Sequence, residues 1–273
     1  MDRLTEIFLE AGAVAVGVSK AEPVAENHWQ AFESWLESGK NAGMGYMANH
    51  LSIRRDPRLL LDGARSVISL AFSFAQAEYR DADKWMIACY AYGEDYHDVL
   101  RRRIGEAVNK LKMTYGGEYR ICIDSAPILE RYWAEKSGIG IIGRNGSLIV
   151  PGYGSMVFLS EVITTLELRE ETFIGSTTQK LKQSFERKQL REKRGEERGE
   201  RREGGEREEK GEKREKWRGE KIGVCLRCGK CMAVCPGRAI TEDGGVDARR
   251  CLSYLTIEHK GEWVAPEALE SVD

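Results

Sequence analysis

The chain has 273 residues, 41% of them hydrophobic, 32% charged and 8% aromatic, with a formal net charge of -2. That length supports one large domain or two modest ones, and the composition is that of a globular protein. No apolar run approaches about 18 residues, which excludes a transmembrane helix, and the opening MDRLTEIFLE carries no apolar signal segment. Leu4, Phe8 and Leu9 recur at helical spacing, and the AVAVGVS that follows alternates and is rich in β-branched residues, so the chain opens helix then strand. HWQAFESWLESGKNAGMGYM reads as a helix closing at Gly39 and running into a glycine-rich loop, and RSVISLAFSF over residues 65–74 reads as a core strand. YHDVLRRRIGEAVNKLKMTY places Val99, Ile104, Val108 and Leu111 on one side of a helix. The same helix carries Arg101, Arg102, Arg103, Lys110 and Lys112, either a basic surface for RNA or a solvated face.

In CIDSAPILER, Asp124 and Ser125 stand at the end of the strand-like RICI, and Pro127 stands near the first turn of the expected helix APILERYWAEKS. Two readings apply: an N-cap, or a carboxylate held at a strand-to-helix junction where it can deliver a proton. GIGIIG, Gly138 to Gly143, satisfies G-x-G-x-x-G, but it follows a helix and precedes the strand-like SLIV and MVFLSEVIT. A dinucleotide fingerprint has the opposite context. Its glycines are expected to cap the helix and to let the backbone approach something flat and bulky. Together these elements predict a layered α/β (α+β) domain. Residues 186–221 then hold 12 Glu, 6 Lys and 9 Arg with six glycines, leaving a net of -5 on the remaining residues. Such a stretch cannot bury a core and is expected to be a linker.

Cys225, Cys228, Cys231 and Cys235 form C-x2-C-x2-C-x3-C followed by Pro236, the ligand signature of bacterial two-cluster ferredoxins. The odd total of seven cysteines argues against a disulfide framework, and His259 is the only histidine downstream for a zinc site. Two cubanes take about eight thiolates, whereas this part of the chain offers Cys225, Cys228, Cys231, Cys235 and Cys251. Cys89 and Cys122 lie far upstream and read as buried core thiols.

The ordered segments YAYGEDYH, DSAPILERYWAEKSGIGIIGRN, YGSMVFLSEVITTLEL, CLRCGKCMAVCPGRAI and DARRCLSYLTIEHKGE resemble the epoxyqueuosine reductases over most of residues 1–168 and 223–262. The resemblance implies a nitroreductase-like, cobalamin-binding catalytic domain over 1–170, a charged linker over 171–221, and part of a small ferredoxin-like iron-sulfur domain over 222–273. It implies cobalamin and two [4Fe-4S] clusters, with Cys225, Cys228 and Cys231 on the inner cluster and Cys235 and Cys251 on the outer. The remaining three ligands belong to a later segment that these residues do not contain. The sequence therefore resembles a truncated or frameshifted member with at most one well-liganded cluster, expected to bind corrinoid without completing the reaction. Asp124 matches the proton donor, Asn145, Leu148, Ser155 and Leu159 match positions against the corrin, and Cys89 lies near a pocket cysteine of some relatives. The implied activity is the reduction of epoxyqueuosine to queuosine at the tRNA wobble position, the last step of queuosine biosynthesis. The implied donor is a soluble one-electron carrier such as flavodoxin or ferredoxin, in the cytoplasm and without membrane. Asp124 would then need a raised pKa, most simply through burial under the corrin face. A reductive-dehalogenase-like corrinoid reductase and a non-catalytic electron-transfer protein are the alternative readings.

Overall fold

A computed structural model describes residues 3–75, 88–175, 225–242 and 245–261; the charge run at 186–221 lies outside the described residues. Helix α1 (Arg3–Glu10) leads into strand β1 (Ala15–Lys20), and helices α2 (Glu26–Glu37) and α3 (Leu51–Arg55) precede strand β2 (Ser66–Ser73). Helix α4 (Tyr96–Tyr115) is followed by β3 (Tyr119–Cys122) and α5 (Glu130–Lys136). A two-stranded ribbon of β4 (Ile141–Ile142) and β5 (Leu148–Ile149) comes next, then β6 (Val157–Thr164) and β7 (Thr172–Ile174). The main sheet runs β3-β6-β2-β1-β7 and every pairing in it is antiparallel, so the expected α/β character resolves to its α+β form.

Both faces of this sheet are covered, which explains why β1 and β2 are buried along almost their whole length instead of alternating. On one face Leu4, Ile7 and Phe8 of α1 and Leu100, Ile104, Val108 and Leu111 of α4 pack on Val16, Val18, Ile68, Leu70 and Val162. On the other, Trp29 of α2 and Tyr132 and Trp133 of α5 pack on Val67, Cys122 and Ile163. Complete burial of one such side chain contributes about 1.5–3 kcal/mol, so these two layers dominate the stability of the fold. A row of small or polar residues, Gly17, Ser69, Glu161 and Cys122, crosses the sheet in register under α5. Gly17 is required there, because a Cβ would lie 2.6 Å from the carbonyl oxygen of Ser137.

Strand β7 lies beyond residue 170, where the sequence reading places the linker, and it pairs with β1. The described residues of the C-terminal part, 225–242 and 245–261, cluster with those of residues 3–174 into one compact unit. Three bonds account for this. Trp35 Nε1 donates to the carbonyl of Val246 at 2.7 Å, the Ala248 amide donates to Lys40 at 2.8 Å, and the Gly43 amide donates to the Tyr254 hydroxyl at 2.8 Å. The basic stretch of α4 is largely neutralised: Arg101 pairs with Asp98, Arg102 with Glu94, Lys110 with Glu10 and Lys112 with Glu118 at 3.0–3.4 Å. Among the described residues no helix is long and apolar enough to cross a membrane.

Candidate active site

Helix α4 starts at Tyr96 because Asp95 caps it, its carboxylate accepting the His97 amide at 2.9 Å and facing His97 Nδ1 at 2.8 Å. The contacts from His97, the backbone amide first, hold the Asp95 carboxyl below its ordinary value. Tyr96 lies nearly parallel to Phe158 of β6, with ring centroids 4.2 Å apart. So placed, its hydroxyl donates to Asp124 Oδ2 at 2.7 Å, while His97 Nε2 lies 3.3 Å from the same oxygen. Only an imidazole protonated on both nitrogens donates to Asp95 and to Asp124 together. Burial, and then the bond to Asp124, push the Tyr96 phenol above its usual range.

Asp124 is not an N-cap. The helix expected from Ala126 begins at Glu130, with Leu129 before it and no side-chain cap. Residues between β3 and α5 instead form a run of tight turns, in which the Ser125 amide and hydroxyl both bond back to the carbonyl of Ile123. Within that run Asp124 takes φ +53°, a left-handed conformation uncommon for a side-chain-bearing residue. Its amide donates to Glu130 Oε1 at 2.7 Å, and its side chain is 59% exposed. Burial pushes the neighbouring carboxyl of Glu130 up to about 7, with the charge of Asp124 as the second cause.

A cavity of about 270 Å³ opens to solvent here, lined by Tyr96, Asp124, Glu130, Leu148, Ser155 and Leu159 among others. It brings together Asp124, Leu148, Ser155 and Leu159 of the sequence-derived set. Asn145 is not in the wall: its Oδ1 accepts the Ser147 amide at 3.2 Å and so shapes the turn that presents Ser147 to the cavity. Cys89 sits half-buried in a separate turn, Cys89–Ala91, and lines no part of the cavity; Cys122 is buried as expected. Burial pushes the Cys122 thiol up to about 12. Tyr96, His97, Glu130 and Glu161 were not singled out from sequence, although YGEDYH and DSAPILER contain the first three. The signal was their place in those segments; their convergence on one aspartate is three-dimensional.

Among the glycines of GIGIIG the expected helix cap is present at Gly138. Gly138, at φ +80°, ends α5, its amide bonding Glu135 while the Ile139 amide bonds Ala134, as in a Schellman motif. A Cβ at Gly140 would lie 2.6 Å from the carbonyl oxygen of Ile149. The close approach at Gly140 is to the neighbouring strand of the ribbon.

In the C-terminal part, short helix α6 (Lys230–Ala233) carries Cys231, and Arg227 and Gly229 take positive φ on either side of Cys228. The amides of Arg144 and Arg227 hold the Cys225 thiol below its ordinary value, and Cys235 Sγ accepts the Ala239 amide at 3.3 Å. Amide donors of this kind favour thiolate and suit iron-sulfur ligation. Cys251 follows the turn Ala248–Arg250. Among the described residues no three Cys, His, Asp or Glu side chains converge into a ready metal cage. Arg144, which also reaches Met232 Sδ at 3.5 Å, belongs to the β4–β5 turn that supplies Ser147 and Leu148 to the cavity.

Residues 54–125 match the family described as Epoxyqueuosine reductase QueG, DUF1730, and residues 224–271 match the 4Fe-4S double cluster binding domain. The chain is 32% identical over 257 residues to an epoxyqueuosine reductase of Cellulophaga algicola, covering 93% of this chain and 68% of that protein. It is 34% identical over 231 residues to the corresponding protein of Cyclobacterium marinum, covering 84% and 60%. The fold is shared with epoxyqueuosine reductase from Streptococcus thermophilus at a TM-score of 0.70 and 22% identity, over 96% of this chain and 58% of that one. An epoxyqueuosine reductase solved with an epoxyqueuosine-modified tRNA-Tyr stem loop matches at the same TM-score and 23% identity, again over 58% of its length.

Proposed function

Because the chain belongs to the epoxyqueuosine reductase family, we propose that it reduces epoxyqueuosine to queuosine in the anticodon loop of tRNA, with Asp124 as the proton donor. The observation that carries this reading is the setting of Asp124: a left-handed turn at a cavity, one carboxylate oxygen bonded by Tyr96 and faced by His97. Removing an epoxide oxygen to leave an alkene takes two electrons and two protons. The slow part is breaking a carbon-oxygen bond without expelling a bare alkoxide. Asp124 gives its proton to that oxygen as charge grows on it, help of a kind worth about 10²- to 10⁴-fold. Tyr96 and His97 fix the carboxyl and steady the carboxylate left behind.

Cobalamin, a flat, amide-fringed macrocycle, is proposed against this cavity, whose volume of about 270 Å³ would take only part of the ring. Leu148, Val157, Phe158 and Leu159 give an apolar wall, Ser147 and Ser155 give hydroxyls at its rim, and the opening lets a larger group project outward. Leu148, Ser155 and Leu159 would hold the ring, with Asn145 keeping the Ser147 turn in shape. Cys225, Cys228 and Cys231 would hold the inner cluster, and Cys235 and Cys251 would contribute to an outer one. When bound, the corrinoid supplies a strongly nucleophilic reduced metal and the clusters supply single electrons. The partners proposed are tRNA and a soluble donor such as flavodoxin or ferredoxin, in the cytoplasm.

The test is to incubate the cobalamin-loaded chain and a strong chemical reductant with an anticodon stem loop bearing epoxyqueuosine, and to follow loss of one oxygen by mass spectrometry. The wild-type chain is expected to form queuosine, and Asp124→Asn to bind cobalamin normally without turnover. Retained turnover in Asp124→Asn would overturn the assignment of the donor, and none in either protein would overturn the activity. Turnover would also overturn the expectation, drawn from the cysteine count, that the chain binds corrinoid without completing the reaction.

A further inference from the structure

Two carboxyl groups behind Asp124 are left without a role by the reading above. Glu130 opens α5, lines the same cavity as Asp124 and receives the Asp124 amide at 2.7 Å. Glu161 lies in the centre of β6, fully buried, with neither carboxyl oxygen hydrogen-bonded. Strand alternation puts Glu161 on the same face as Ile163, the face covered by α5, so it stands under the helix that Glu130 begins.

We propose that Glu130 is the second acid of the cavity, a positioning residue that clamps the strained Asp124 turn through its backbone amide and keeps a proton within reach of the aspartate. The inference rests on the reading of Asp124 as proton donor. It supplies what that reading lacks, since oxygen leaving as water takes two protons and Asp124 carries one. After Asp124 has protonated the substrate oxygen, the Glu130 carboxylic acid passes its proton to the Asp124 carboxylate. Glu130 is left ionised and is reprotonated from water through the open cavity. No bond but O–H is made or broken in this transfer, and no redox partner is needed.

The groups facing Glu130 decide whether it can hold a proton near neutrality. Burial and the charge of Asp124 push its carboxyl up. Arg131 on its own helix, Arg54 on α3 and the Asp124 amide pull it down, and the position at the start of α5 works in the same direction. The balance lies at about 7, where an acid is present in both forms and can give and regain a proton in each cycle. Burial, and then the charge of Glu130, pushes the Glu161 carboxyl up, which favours its neutral form on the strand beneath.

The clamp and the proton store separate in two variants. Glu130→Gln keeps an acceptor for the Asp124 amide but cannot hold the proton, whereas Glu130→Ala loses both. In the full chain carrying ¹³C-carboxyl glutamate, a resonance titrating at about pH 7 is expected in the wild type and absent in Glu130→Gln. Hydrogen exchange at the Asp124 amide is expected to be unchanged in Glu130→Gln and about tenfold faster in Glu130→Ala, the size of losing one bond. A Glu130 carboxyl titrating in the ordinary range near 4–5 would overturn the proton store. Undiminished protection of the Asp124 amide in Glu130→Ala would overturn the clamp. Neither measurement uses cobalamin or RNA, so a failure here is distinct from a failure of the proposed reaction. If Glu130→Ala does not fold, the Glu130→Gln titration still decides the proton store.

Discussion

Replacing Glu161 by glutamine should make the protein more resistant to unfolding at neutral pH, and the gain should vanish in mild acid. Glu161 is wholly buried, and burial first, then the charge of Glu130, pushes its carboxyl well above the ordinary value. In the unfolded chain the same group releases its proton near pH 4.3. Between those two values the folded state binds one proton more than the unfolded state, so stability falls as pH rises, by about 1.4 kcal/mol per pH unit. For a body of this size each pH unit of that window corresponds to about 3–6 °C in melting temperature. Glutamine is also left unbonded in the same place, but its cost does not change with pH. Urea unfolding of wild type and Glu161→Gln across this range should give a difference that grows with the expected slope. Glu130 adds a slope of the same sign in both proteins and cancels in the difference. Parallel profiles would show that Glu161 is ionised in the folded protein, and would refute the reasoning.

Three further outcomes follow from the same structure. Gly17→Ala should destabilise the protein by about 1–3 kcal/mol, because the new Cβ would lie 2.6 Å from the backbone and hydroxyl oxygens of Ser137 and α5 would have to shift; thermal melting checks it. Tyr96→Phe keeps the stack on Phe158 but removes the donor to Asp124, so single-turnover rates should fall about tenfold while stability changes by no more than about 1 kcal/mol. In the folded chain at mildly alkaline pH, Cys122, buried and pushed up to about 12, should resist alkylation while exposed Cys228 is modified; peptide mass spectrometry reads both.

Much of the scaffold was legible from periodicity. Leu4 and Phe8 marked α1, RSVISLAFSF marked β2, and the spacing of Ile104, Val108 and Leu111 marked the buried face of α4, because burial against one layer imposes a period that local sequence displays. The start of α5 was misplaced by four residues. Asp-Ser-Ala-Pro carries strong helix-start chemistry, but Ser125 spends both of its donors on Ile123 and the turn closes before a helix can open. In GIGIIG the helix cap at Gly138 was legible, whereas the close approach of Gly140 to the ribbon was not.

The carboxyl groups were hidden for a different reason. In MVFLSEVIT a reader who assumes one solvated face assigns Glu161 to water, as alternation ordinarily allows. Here α1 and α4 cover one face of the sheet while α2 and α5 cover the other, so β6 has no wet side at Glu161. A charged residue in the middle of such a strand must be neutral, paired or costly. It is unpaired, burial pushes its carboxyl well above the ordinary value, and it lies in register with Cys122, two residues before Asp124. The same register that hides Glu161 from a one-dimensional reading places a buried acid under the turn that presents Asp124. Glu130, the first residue of the helix above it, is the one carboxyl of the three positioned to touch both the Asp124 backbone and the cavity.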